Sequence, residues 1–394
     1  MLGTVLLLAA GAILACHLPK TATKVPSLGG ILALSLMAGF FVLLYFRQIL
    51  PLLLFPADIL GWSESPFLDF IIRFRAGEPL FTPVEDGNAF AYPPLAALLT
   101  YGMVKFVGMA ASVPAMRVAQ QLFLLVGALF VAGSVRALLR HLRPETRYAN
   151  WWMWFWTPFL FLVASAENVN PWVVTLHTDA LALALHCFAF WLLVQHAVTR
   201  NDRWLLLMVF VPSVGYLAKQ NGLAWAGIYC FYLVLREQPR IRQVFGFAVA
   251  AFSVWGLTLA GCYWLWGEVY FQWTFQTVGN LHVSLTKIVQ DLGVAGWYLF
   301  LGLLGAVAVM RGEHFRFWLP IWSSWLLLWL FLQYTMGAAH RTAHVGPACV
   351  IGMGWFVLAL AYRWPEASAA EKEARVERWW RLLALSAAVV VLCA

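Results

Sequence analysis

Trp172-Val-Val-Thr-Leu-His177-Thr-Asp179-Ala-Leu-Ala-Leu-Ala-Leu-His186-Cys-Phe-Ala-Phe-Trp191-Leu-Leu-Val-Gln-His196-Ala-Val198 is an apolar run with one carboxylate near its head, and Arg200 and Arg203 follow it. Its length exceeds the ~20 residues that cross a hydrocarbon core as a helix. The lone acid and the basic tail say that one end differs chemically from the other. Similar runs recur along the whole chain, so this stretch sets the fold class.

The composition agrees. Of 394 residues, 62% are hydrophobic and 11% charged, with a mean hydropathy of +0.77. A soluble domain carries about 25% charged residues. Apolar sequence in this amount has to face lipid. Runs at 2–17, 29–54, 93–110, 118–139, 151–166, 172–198, 204–218, 222–236, 244–266, 292–310, 317–335, 345–362 and 380–394 predict an all-α, polytopic transmembrane bundle in a single domain, 1–394. They are helical in length, not the ~10-residue alternating strands of an outer-membrane barrel. The first run reads as an uncleaved helix because it lacks a basic leader region.

The formal charge is +8. Lys and Arg fall in short clusters between the apolar runs, which is a topology signal and not a nucleic-acid footprint. No nucleic-acid partner is expected. The six cysteines form no CxxC pair and read as small packing residues.

Placing the basic clusters in the cytoplasm orients the chain. The clusters are Lys20/Lys24, Arg136 to Arg147, Arg200/Arg203, Arg236 to Arg242, Arg311/Arg316 and the charged segment 364–381. Glu64/Asp69, Asn168 to Asp179, Lys219/Gln220, Asn280/His282 and His340 to His344 then gather on the extracytoplasmic face. The predicted location is the cytoplasmic membrane, multi-pass, with the polar side outward. One conflict remains. An odd number of crossings must separate loop 55–92 from Arg136 to Arg147, yet two apolar runs lie between them. Either one run fails to cross, or the basic segment lies outside and 151–166 dips without crossing.

The loop 55–92 carries the candidate chemistry. It contains Asp58, Glu64 and Asp69 and ends at Tyr92-Pro93-Pro94-Leu95. Phe67, Phe70/Ile71 and Phe74 recur at helical spacing. They predict a short amphipathic helix on the membrane surface, ended by Gly77. Glu64 falls just before it. A partly shielded carboxylate there suits a general base; a solvated loop charge or a helix cap suits the same residue. Lys219 is either a snorkelling helix-end cation or a phosphate ligand. His177 and Asp179, two apart in one helix, would point to nearly opposite faces. No His/Asp spacing calls for a metal; no cofactor is named, and a divalent metal is left open.

An early acidic loop followed by Tyr92-Pro-Pro-Leu95, then His177-Thr-Asp179-Ala-Leu-Ala-Leu, then Leu217-Ala-Lys219-Gln220-Asn-Gly222-Leu-Ala, resembles the GT-C superfamily of glycosyltransferases. More closely it resembles the dolichyl-phosphate-mannose protein mannosyltransferase, Rgt and aminoarabinose-transferase-like families. The resemblance covers roughly 55–230. It implies a GT-C-like fold and a transferase that moves a hexose or pentose from a polyprenyl-phosphate-linked donor to a glycan, lipid or protein acceptor among membrane lipids. It implies that Glu64 takes the catalytic position, with Asp58 and Asp69 as runners-up. Those families often place an Asn-Tyr pair where this chain has His340-Arg341-Thr-Ala-His344.

A lipid-phosphate donor keeps its phosphate at the interface, where cations would stabilise the leaving group. Lys219, Arg341, His340 and His344 are candidates for that task, and Tyr92, His177, Asp179 and Gln220 for substrate contact. Attack opposite the phosphate would invert the anomeric carbon. Two other classes are a lipid or solute transporter or flippase, and a non-catalytic subunit of a membrane complex. A transporter would carry ionisable residues at mid-bilayer and often repeated halves; no repeat is seen.

Overall fold

A computed structural model gives the fold. It describes residues 43, 47, 49–56, 64–86, 91–144, 149–166, 169, 175–277, 284–310, 315–336 and 345–363. The expectations for 1–17, Asp58, Asn280/His282, His340, Arg341, His344 and 364–381 lie outside the described residues.

The described residues are helical throughout their long elements: α1 (Glu64–Ala76), α2 (Leu95–Phe106), α3 (Val113–Leu142), α4 (Ala149–Ala164), α5 (Asp179–Thr199), α6 (Asp202–Ala218), α7 (Ala224–Leu235), α8 (Ile241–Phe271), α9 (Leu285–Met310), α10 (Phe315–Met336) and α11 (Gly346–Arg363). Among the described residues, five stretches are long and apolar enough to span a bilayer: Val113–Leu142, Asp179–Thr199, Ile241–Gln276, Leu292–Met310 and Phe315–Thr335. Trp264 and Phe245 on α8 are 84% and 71% exposed. In water such a surface would aggregate; in lipid it is the ordinary outer face of a bundle. The chain is a multi-pass helical membrane protein.

Local chemistry sets the helix ends. Ser112 caps α3 by accepting from the Ala115 N–H at 3.2 Å, with Pro114 in the first turn. Asn201 caps α6 by accepting from the Arg203 N–H at 3.0 Å. Gly77 ends α1 at φ 72°, a left-handed conformation that glycine adopts without a Cβ penalty.

Three sequence readings are corrected. The run 93–110 yields only the 12-residue α2, about 18 Å long and too short to cross a core of about 30 Å. A helix this short fits the alternative in which one of the two runs does not cross fully. Within the run 172–198, Thr175 to His177 are non-helical and the helix starts at Asp179. Glu64 does not precede the surface helix but is its first residue, where an acid favours the positive end of the helix dipole.

Helices pack through small residues where backbones approach. On α3, a Cβ at Gly127 would lie 2.7 Å from Leu183 and 3.3 Å from the Ala184 backbone of α5. Gly305 of α9 sits against the Trp355–Phe356 backbone of α11 at 2.6 Å by the same measure. Close approach of this kind drives helix association in lipid, where burial of apolar surface does not.

Direct contacts tie the loops at one end of the bundle together. Glu64 on α1 accepts from the Leu176 N–H ahead of α5. Gln220, between α6 and α7, donates to Ala91 before α2 and to Thr274 after α8. Alternating helix direction then sends Arg140, Arg200, Arg236, Arg240 and Arg316 to the other end. The loops that carry Glu64, Asp179 and Lys219 thus lie at the opposite end from these five arginines.

Candidate functional site

Four side chains meet at the carboxylate end. Asp179, at the start of α5, forms an ion pair with Lys219, the residue that follows α6, through Oδ1. His177 Nδ1 approaches the other oxygen, Oδ2, at 2.6 Å. The Lys219 ammonium stands 5.5 Å from the Tyr92 ring centroid, and the Tyr92 ring meets His177 edge-on at 5.2 Å. His177, Asp179 and Lys219 are all buried, while Tyr92 is half-buried. The expectation that His177 and Asp179 diverge fails for a definite reason. His177 lies before the helix, so the spacing rule for helical residues does not apply to it.

The backbone holds this cluster from several sides. Lys219 is extended at φ −161°, directly after α6, and its N–H donates to Gly215 at 2.9 Å. A Cβ on Gly222 would lie 2.2 Å from the Gly215 carbonyl carbon, so the turn folds back on α6 with no space for a side chain. Gln220 Nε2 donates to the Ala91 carbonyl at 2.8 Å and to the Thr274 carbonyl at 3.2 Å. The first of these bonds fixes the residue before Tyr92. Burial, and next the Asp179 charge, push the Tyr92 hydroxyl well above the usual phenol range, so it is a neutral donor.

Behind the cluster lies a second ion pair. Arg117 on α3 donates from Nε and Nη2 to the two oxygens of Glu64 at 2.8 and 2.7 Å. Its Nη1 donates to the carbonyls of Phe55 at 2.6 Å and Leu52 at 3.2 Å. Both side chains are fully buried. Glu64 Oε1 also accepts from Leu176 N–H at 3.1 Å, one residue before His177. Asp69 is elsewhere: five residues along α1, about 140° around the helix. It pairs with Arg73 at 2.8 Å with its side chain 47% exposed.

No family model matches the chain, and no curated protein matches it in sequence. Its structure does match that of the apo Archaeoglobus fulgidus oligosaccharyltransferase, at a TM-score of 0.53 and 12% identity over 92% of this chain. The fold is GT-C-like. The matched region is 55% of that enzyme, so the chain spans about half its length.

Within the GT-C-like bundle, the structure brings together Tyr92, His177, Asp179, Lys219 and Gln220. It sets Glu64 one layer behind them and leaves Asp69 on an exposed face. Arg117 escaped the sequence reading, although a signal existed. It is an arginine at the head of an apolar run, and such a charge calls for a buried partner. Thr274 had no signal, because it contributes only a backbone carbonyl.

Proposed function

We propose that the chain is a membrane glycosyltransferase whose donor sugar is carried on a polyprenyl phosphate and whose acceptor is a hydroxyl on the extracytoplasmic side. The observation that carries this reading is the buried Asp179–Lys219 pair flanked by His177 and Tyr92, at one end of a lipid-facing bundle with a GT-C-like fold. The activity for which the archaeal enzyme is named, oligosaccharide transfer, favours the same class.

The pair suits the chemistry of a phosphodiester donor. Lys219 held by Asp179 is a cation already stripped of water, which an arriving phosphate can recruit. As the bond between the anomeric carbon and the phosphate oxygen breaks, the lipid phosphate leaves with one more negative charge, and Lys219 neutralises it. Asp179, released from Lys219, takes the proton of the acceptor hydroxyl as that oxygen bonds to the anomeric carbon. Attack opposite the leaving group inverts the centre. Tyr92 and His177 supply hydrogen bonds to the sugar or phosphate. Glu64, the sequence candidate for the base, has both oxygens engaged by Arg117 and Leu176. In this reading it acts as a positioning residue for the segment that carries His177.

The test uses the full chain in nanodiscs, radiolabelled polyprenyl-phosphate-linked hexoses and pentoses, and release of polyprenyl phosphate as the signal. Asp179→Asn should remove turnover while donor binding persists. Lys219→Met should weaken donor binding. Wild-type turnover and binding in both variants would reject the assignment.

A further inference from the structure

A second site lies at the arginine end, about 25 Å from Asp179 along α5 at 1.5 Å per residue. There the C-terminus of α5, the α7–α8 connection and the start of α10 enclose a cleft of about 130 Å³. That is several-fold more than the ~10–15 Å³ a single water needs, enough for a phosphate group. Arg200, Arg236, Arg240 and Arg316 line it against two acids, Asp202 and Glu237.

The arginines are unevenly used. Arg200 pairs with Glu237 at 2.7 Å, and Arg236 is bound to Gln238 and Gln243. The guanidinium groups of Arg240 and Arg316 line the cleft without a hydrogen-bonding or ionic partner among the described residues. Arg240 also stands at the N-cap of the 31-residue α8 with no side-chain cap, so the first N–H groups of that helix end at the cleft.

An independent observation comes from His196, 2% exposed, on the wall of the cleft. Its Nδ1 shares a hydrogen bond with the Tyr232 hydroxyl at 3.0 Å. With the Tyr232 hydroxyl as donor, the ring proton sits on Nε2. That nitrogen is buried and has no hydrogen-bond partner among the described residues. Asp202 Oδ1 stands 3.6 Å from it, beyond a good hydrogen bond. A buried ring nitrogen beside unpaired arginines and a helix N-terminus calls for an anion with several acceptor oxygens.

We propose that this cleft binds a phosphate-bearing group, with His196 as the inner donor and Arg240 and Arg316 as the outer ones. Ile241 and Phe245, 78% and 71% exposed next to Arg240, provide an apolar flank where acyl chains would lie. They favour an anionic phospholipid as the carrier of the phosphate. The proposal does not depend on sugar transfer.

Native mass spectrometry of the detergent-solubilised full chain tests it, with phosphatidylglycerol, phosphatidylcholine and inorganic phosphate as separate probes. Arg240→Gln/Arg316→Gln should weaken phosphatidylglycerol retention by about ten-fold or more, since a charged hydrogen bond contributes about 1.5–3 kcal/mol. His196→Phe should weaken it too. Arg203→Gln, an exposed arginine outside the cleft, should not. Selective retention of phosphatidylglycerol assigns a lipid; a phosphate adduct that competes with it assigns the free ion. Equal retention in the double variant and wild type, or retention of neither phosphatidylglycerol nor inorganic phosphate, would overturn the proposal.

Discussion

Arg117 reaches across 53 positions of sequence to grip both carboxylate oxygens of Glu64, and neither side chain touches solvent. The pair joins helix α1 to the head of the long helix α3. Through the Leu176 N–H it also fixes the strand of backbone that leads to His177 and Asp179. A buried pair of this kind costs much to break and little to replace whole, because the main loss comes from leaving one charge alone.

Arg117→Ala is therefore expected to destabilise the protein by about 3–5 kcal/mol. Thermal unfolding of the purified chain in detergent reads this directly. Glu64→Leu/Arg117→Met should recover most of the loss. A single variant that melts like wild type would show that the pair contributes little.

The Asp179–Lys219 pair gives a contrasting result. Each single neutralisation strands a buried charge and should lower stability by about 3–5 kcal/mol. Asp179→Asn/Lys219→Met should melt closer to wild type, yet turn over no donor. Recovery of stability without activity separates a working pair from a structural one. A double variant that is both stable and active would remove the pair from the chemistry.

Gly267 interrupts α8 at φ 68° and ψ −159°, a region close to glycine's own. Beyond the break, Trp273 Nε1 donates to the Thr82 carbonyl at 2.7 Å and the Thr274 carbonyl accepts from Gln220. Gly267→Ala meets no clash but should impose about 1–3 kcal/mol of backbone strain and reduce donor turnover. Gly256→Ala, in the same helix with open space around its Cβ, is the control and should stay near wild type in melting and turnover. Equal behaviour of the two variants would mean the break is not needed.

Cysteines at Ser65 and Gln238 test the orientation. Both positions are exposed, at opposite ends of the bundle. An impermeant thiol reagent on intact cells should label Ser65→Cys, and Gln238→Cys only after permeabilisation. The reverse pattern would invert the chain in the membrane.

Hydropathy made most of the fold legible, because a run such as 244–266 has no other stable place than lipid. It could not show where helices start. Thr175, Leu176 and His177 belong to the same apolar run as the first turns of α5, yet Glu64 captures the Leu176 N–H and keeps that segment out of the helix. It also could not separate a half-length helix from a crossing one in 93–110. The residues of the candidate site were legible by type: a carboxylate at a helix head, a lysine at a turn, a tyrosine before two prolines. Their partners were not. Asp179 meets Lys219 over 40 positions and Glu64 meets Arg117 over 53, distances at which one sequence carries no pairing signal.

The contact between Gly215 and Gly222 couples two sites that look unrelated in the chain. A methyl group at 222 would collide with main chain, and main chain cannot rotate aside as a side chain can. Relatives of this protein that vary at 222 should therefore show a compensating shift of helix α6, and with it a different stance for the lysine between them. Variation at this pair would retune the distance from cation to carboxylate without altering either charged residue.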